Sequence, residues 1–246
     1  MGTGILRLQL ALHLVKDRNT RRKELASHYF MEANQHTKDK NPEKAADVHA
    51  KSATQFLIAG EPERAAKQNT LAGKNYFAAG KTELALTYYK KAMMQRELIV
   101  EDCREENRQK AREQYKEIAN LHELSVEAYE QLKQESHVLG EYELAAKSCA
   151  KIADHDGAAR NYEKVSRIWQ QRGKFKEFEK YSRMANHEQE LGVREHEEKQ
   201  EWDKAAEKRL QMGERFSHLG LKSAAVTQYL LAGRDYESGK KIGMAM

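Results

Sequence analysis

Apolar residues recur along most of this chain at intervals of three and four, the spacing that gathers side chains on one face of an α-helix rather than on alternate faces of a strand. The clearest stretch is residues 73–92, GKNYFAAGKTELALTYYKKA, where Gly73 and Tyr76 share one face and Ala85, Tyr89 and Ala92 share another. Between them Gly80 breaks the helix, because a glycine just past a helix end takes the left-handed conformation that costs other residues roughly 1–2 kcal/mol. Thr82 is then expected to cap the following helix. The same intervals return without a gap at Gly213, Phe216, Gly220, Ala225, Tyr229 and Ala232.

Taken in order, residues 5–15 (ILRLQLALHLV) alternate leucines at 6, 8, 10, 12 and 14, formally a strand pattern, but leucine is a helix former and no strand partner is evident. Read as a helix, the segment is apolar on several sides, so it is buried under the next pair of helices or against another chain. A second helix is expected over residues 20–37, and Asn41-Pro42-Glu43 reads as a cap, a first-turn proline and a first-turn acid. From there Ala45, Ala65 and Ala85 each stand five residues after a turn position (Lys40, Gly60, Gly80), a stride of 20 residues per helix and turn. Such a period indicates stacked repeat units.

Residues 101–114 offer only Cys103 and Ala111 to a core and read as a solvated stretch. Periodicity resumes with Tyr115, Ile118, Leu121, Leu124, Ala128 and Leu132, in a helix expected to end at Gly140. Residues 154–157 break the next helix, Gly173 ends the one after, and the acidic stretch 188–207 reads as an exposed helix start. The tail, residues 238–246, loses the pattern and is expected to fray. The resulting division is N-terminal helices over 1–40, repeats over 41–100, a long polar helical segment over 101–140, and repeats over 141–237.

Composition agrees with an all-α chain: two prolines in 246 residues, with Ala, Glu, Lys, Gln and Arg abundant. The 43 basic and 38 acidic side chains leave a net charge of only +5, too little to require a nucleic-acid partner. Cys103 and Cys149, far apart and without CxxC spacing, suggest ordinary thiols in a reducing, cytoplasmic setting. No apolar run reaches the roughly 20 residues of a membrane-spanning helix. The bases Arg7, Lys16, Arg18, Arg21, Arg22 and Lys23 resemble a mitochondrial presequence, although serines are missing.

Catalytic constellations are lacking. Gly80-Lys81-Thr82 imitates the end of a phosphate loop, but the preceding glycine is Gly73, too distant, and no strand leads in. No two histidines stand three or four apart, no Glu-x-x-His pair occurs, and neither cysteine has a nearby histidine. The expectation is a non-enzyme without cofactor or metal.

Gly73-x2-Tyr76 with Ala85-x3-Tyr89, and Gly213-x2-Phe216 with Ala225-x3-Tyr229, resemble the tetratricopeptide (TPR) repeat. Weaker frames at Phe56, Gly60, Ala65 and Ala72 and at Trp169, Gly173, Phe178 and Ala185 extend the resemblance over most of residues 45–237. It implies a right-handed α-solenoid of antiparallel helix pairs with a groove for a peptide or helix of another protein. Because residues 63–79 serve two frames at once, the packing is also similar to the helical-hairpin sheet of soluble NSF attachment proteins. Lys116-x3-Asn120 has the spacing of a carboxylate clamp, but partner positions on neighbouring helices do not match.

The implied function is a protein-interaction scaffold or adaptor, with the N-terminal leucine segment available for self-association. An alternative reading uses the basic residues Lys16, Arg18, Arg21, Arg22 and Lys23, with a C-terminal group around Lys208, Arg209, Arg215, Lys222, Lys240 and Lys241, to bind RNA or an anionic membrane.

Overall fold

A computed structural model describes the backbone of residues 2–103 and 107–243, and the side chains of residues 17–103, 107–217 and 219–240. Among the described residues there are ten α-helices and no strand: α1 (Gly2–Lys38), α2 (Pro42–Ile58), α3 (Pro62–Ala78), α4 (Thr82–Asp102), α5 (Arg108–Gln131), α6 (Glu135–Lys151), α7 (His155–Gln171), α8 (Phe175–Glu198), α9 (Trp202–His218) and α10 (Lys222–Gly243). Two compact units divide the chain, Met1–Glu141 and Tyr142–Met246, so the boundary falls within α6.

Helices start 20 residues apart at Pro42, Pro62 and Thr82, again at Glu135, His155 and Phe175, and again at Trp202 and Lys222. One turn geometry produces that stride. A residue with φ of 55–75° stands at Lys40, Gly60, Gly80, Lys133, Ala153, Gly173, Gln200 and Gly220. After α3, Gly80 N–H donates to the Phe77 carbonyl (2.9 Å) and Lys81 N–H to the Tyr76 carbonyl (2.8 Å). After α5, Lys133 and Gln134 make the same pair of bonds to Glu130 and Tyr129 (3.0 and 2.9 Å). The two bonds occupy carbonyls that a helix end leaves without partners, and they reverse the chain within three residues.

Within each unit consecutive helices pack in chain order and run antiparallel. The end of α3 meets the start of α2, where the Tyr76 hydroxyl donates to Asp47, while the starts of α2 and α4 lie together, with Lys81 Nζ 2.5 Å from Glu43 Oε1. Close approach is set by glycine and tyrosine. A Cβ on Gly73 would stand 2.4 Å from Tyr89 Cε1, and one on Gly213 would stand 2.5 Å from Tyr229 Cε1. Tyr89 is thereby 1% exposed within a cluster with Ala72, Tyr76, Ala85, Ala92, Met93 and Leu121. Burial pushes its phenol up to about 12.

Polar pairs bridge neighbouring helices at a recurring offset of 19 residues: His49 with Gln68 (2.8 Å) and His122 with Glu141 (2.6 Å). Arg209 stands likewise toward Gln228 (3.5 Å) and binds Asp235 (2.8 Å) and Glu197 (2.6 Å). Each such pair fixes register, because sliding one helix would strand a buried polar group at a cost of about 1–3 kcal/mol.

Several sequence expectations are corrected. The N-terminal pair is one continuous helix, α1, since nothing between residues 15 and 20 breaks it; the side chains of the leucine segment lie outside the described residues. Gly140 ends no helix: it lies inside α6, and Lys133 makes the turn instead. Residues 101–140 are not one polar segment, because α5 buries Ile118, Leu121, Val126 and Tyr129 and α6 begins at Glu135. Residues 188–207 hold the end of α8, with Gly192 and Val193 buried, and the start of α9. Thr82 does not cap α4; it is the first helical residue, its hydroxyl donates to Gln131 Oε1 (2.7 Å), and the cap position is Lys81. The tail is helical through Gly243, and residues 244–246 lie outside the described residues.

Three outcomes are expected in chemical denaturation. Gly73→Ala lowers stability by about 1–3 kcal/mol through overlap with Tyr89, whereas Gly140→Ala, with nothing within 4 Å of the added Cβ, raises it by roughly 0.5–1 kcal/mol. A loss at Gly140 would instead restore it as a turn residue. Ala153→Gly, at φ 57°, relieves left-handed strain and stabilises by roughly 1 kcal/mol. Finally, burial holds the His49 imidazole below its ordinary 6.5, so the unfolded chain takes up that proton more readily. The stability tied to neutral His49 is complete above pH 6.5 and declines as pH falls below it, and His49→Gln flattens this slope.

Candidate protein-binding groove

In the first unit, α2 and α4 lie side by side over α3 and enclose a groove of about 690 Å³. The sequence places it by spending the core-facing stripe of each helix on its neighbours, which leaves a second set of apolar residues free. Asp47, Ala50, Thr54, Leu57 and Ile58 form the α2 wall, Tyr88, Lys91, Met94 and Leu98 form the α4 wall, and Asn69 and Tyr76 lie on the floor. From Asp47 to Ile58 the wall is about 16 Å long at 1.5 Å per residue, enough for roughly three turns of a bound helix.

The two ends differ chemically. At one, Tyr76 and Tyr88 stack with centroids 5.2 Å apart, Lys91 Nζ sits 4.5 Å over the Tyr88 ring, and Asp47 accepts from the Tyr76 hydroxyl. Burial first, and then Asp47, hold that phenol well above its ordinary value, so it stays a neutral donor. At the other end Leu57, Ile58, Met94 and Leu98 face solvent, with Met94 63% and Leu98 59% exposed. Asn69 Nδ2 donates to Gln95 Oε1 (3.0 Å), tying floor to wall.

A second groove, about 670 Å³, lies in the other unit between α7 and α9 over α8. Most of its lining residues are polar, among them Arg215, which donates to Glu163 and Asn186. Gln189 Nε2 also donates to Glu163 (3.0 Å). This network ties the α7, α8 and α9 walls together through Glu163.

The repeat-signature residues are brought together but are structural. Gly73, Tyr76, Ala85, Tyr89 and Ala92 lie in or against one buried core, Gly213, Phe216, Ala225 and Ala232 are buried in the second unit, and Gly80 and Gly220 are turns. Only Tyr76 also reaches the groove. The basic patch is partly neutralised: Arg21 pairs with Asp17 (3.1 Å) and Lys23 with Glu61, and the side chain of Lys16 lies outside the described residues. In the C-terminal group Lys208 pairs with Asp156, Arg209 with Glu197 and Asp235, and Arg215 with Glu163.

Leu57, Ile58, Met94 and Leu98 were missed in the sequence. The signal available was apolar residues off the core stripe, as at Met94 and Leu98, one turn apart on a face otherwise solvated. Among the described residues no cluster of three or more His, Cys, Asp or Glu is placed to hold a metal ion, and no helix is long and apolar enough to cross a membrane. Cys103 and Cys149 form no disulfide.

Within each unit antiparallel helices stack in order with an aromatic seated on glycine, a TPR-like helical packing, although α2 and α4 start 40 residues apart where a TPR pair spans about 34. No protein-family model matches it, and no curated protein is similar to it in sequence. Among solved structures, BtubC (BKLC) from P. vanneervenii is 14% identical, over 94% of this chain and 87% of its own, with a TM-score of 0.48. A Podosopora anserina putative kinesin light chain with nearly identical TPR-like repeats is 14% identical, over 90% of this chain and 96% of its own, with a TM-score of 0.42. MamA is 13% identical, over 66% and 96%, with a TM-score of 0.34. At such identities the likeness is one of helical architecture alone.

Proposed function

We propose that this chain is a non-catalytic protein-interaction scaffold whose α2–α4 groove takes an amphipathic helix of a partner protein. The observation that carries this reading is the exposed set Leu57, Ile58, Met94 and Leu98 on facing walls of one groove. Side chains at i, i+3 or i+4, and i+7 of a bound helix would cover them, as apolar grooves do in helix-in-groove recognition. The Tyr76–Tyr88 end supplies a hydroxyl, a carboxylate and an ammonium to fix the direction of the ligand. The adjacent array, held by glycine–tyrosine contacts and polar seams, presents the walls without rearrangement.

Binding of RNA or an anionic membrane finds less support, since Lys23, Lys208, Arg209 and Arg215 are each engaged with an acid of the same chain. Affinity purification from native cells is expected to recover a stoichiometric protein partner. The double substitution Met94→Glu with Leu98→Glu, at exposed positions, is expected to abolish recovery by weakening binding a hundredfold or more, on the order of 3 kcal/mol, while leaving the melting temperature unchanged. Undiminished recovery by a folded double variant would exclude the groove.

A further inference from the structure

The α2–α4 groove is charged toward one end and neutral at the other. The starts of α2 and α4 lie together, so residues 40 apart stand level on the two walls: Lys51 with Lys91, Thr54 with Met94, and Ile58 with Leu98. Both lysines are exposed residues of the lining, and among the described residues no acid of the chain pairs with either. Asp47, the acid of the lining, stands one turn before Lys51 on α2 but accepts from the Tyr76 hydroxyl instead. Lys91 Nζ rests 4.5 Å over the Tyr88 ring, a contact that holds the ammonium at the groove without neutralising it. Elsewhere Lys23, Lys81, Lys208, Arg209 and Arg215 each have an acid of the same chain as partner. Two turns beyond the lysines, where Leu57, Ile58, Met94 and Leu98 stand, the lining carries no charge.

We infer that the partner helix is acidic at one end and has a fixed direction: it carries Asp or Glu about two turns C-terminal to its apolar anchors, and it runs antiparallel to α2 and α4. The assignment rests on the reading of this groove as a helix-binding site and names its occupant. Lys51 to Ile58, and Lys91 to Leu98, are each about 10 Å of helix, so with the anchors on the apolar end a side chain two turns away arrives level with the lysines. A carboxylate there meets ammonium groups that have no acid of their own, and it relieves the repulsion of like charges on opposite walls. Direction follows from the helix dipoles. The lysines lie toward the N-terminal ends of α2 and α4, and a helix running the other way brings its own C-terminal carbonyls, the negative end of its dipole, to those lysines. In unit 1, α3 already packs on α2 and α4 in that sense. A basic helix would meet two like charges, and one laid in the opposite sense would carry its acids to Leu57 and Leu98, where the lining offers no cation.

The test is selection, with the full chain as bait, from a displayed library of amphipathic helices in which Leu is fixed at i, i+3 and i+4 and Glu, Gln and Lys are equally frequent on both flanks. Glu is expected to be enriched over Lys by about fivefold on the C-terminal flank and not on the N-terminal one. The selected helices lose affinity as salt is raised, because the lysines are exposed. Lys51→Glu with Lys91→Glu inverts the preference to Lys while leaving the melting temperature unchanged. Equal recovery of Glu and Lys, Glu on the N-terminal flank, or a preference that persists in the charge-reversed chain overturns the acidic partner and its direction; the groove itself still stands if Met94→Glu with Leu98→Glu abolishes binding. Binders that survive Met94→Glu with Leu98→Glu, or a library that yields none, overturn the groove and this occupant with it.

Discussion

The whole arrangement depends on a single backbone constraint, the left-handed residue that ends a helix and lets two amide groups fold back onto its last carbonyls. Because this turn takes the same few residues at each of its eight positions, the helix after it begins at a fixed distance and presents a fixed face, whereas α4 ends at an extended Cys103 instead. Departures respect the rule: α5 and α8 have 24 residues where α7 and α9 have 17, a difference of about two helical turns, so the buried face is regained.

Upon that register two kinds of contact act. At Gly73 and Gly213 a tyrosine of the following helix lies against the glycine, and at Gly73 the ring is fully buried. Where the corresponding residue is polar, as at His49, His122 or Arg209, a polar side chain on the following helix meets it. The second penalises slippage, since every misregister leaves a buried group without a partner.

Function follows from what this packing leaves over. A helix in such an array spends two stripes on its neighbours and has a third free, and the composition of the third distinguishes the two grooves. In the first unit it carries leucine, isoleucine and methionine; in the second it carries the Glu163–Arg215–Asn186 network, which ties the walls together.

The all-α class and the 20-residue stride were legible in the sequence, since each rests on local periodicity, and so was the recurrence at Gly213–Ala232 of the intervals of Gly73–Ala92, whereas the seating of Tyr89 on Gly73 and of Tyr229 on Gly213 joins residues of different helices and was not. Turns at Lys133 and Gln200 were not, because a side chain in the left-handed conformation leaves no mark in composition; the break expected at 154–157 stands at 152–154, around Ala153, with His155 already in α7; and Gly140, a glycine in mid-helix, imitated the mark of a turn. Likewise Tyr89 and Tyr229 stand at matching positions of the repeat, yet one is 1% and the other 40% exposed. Periodicity states which side of a helix is apolar. Whether a later helix arrives to cover it, and which free stripes face each other across a groove, depends on residues distant in the chain, and only the tertiary structure decides it.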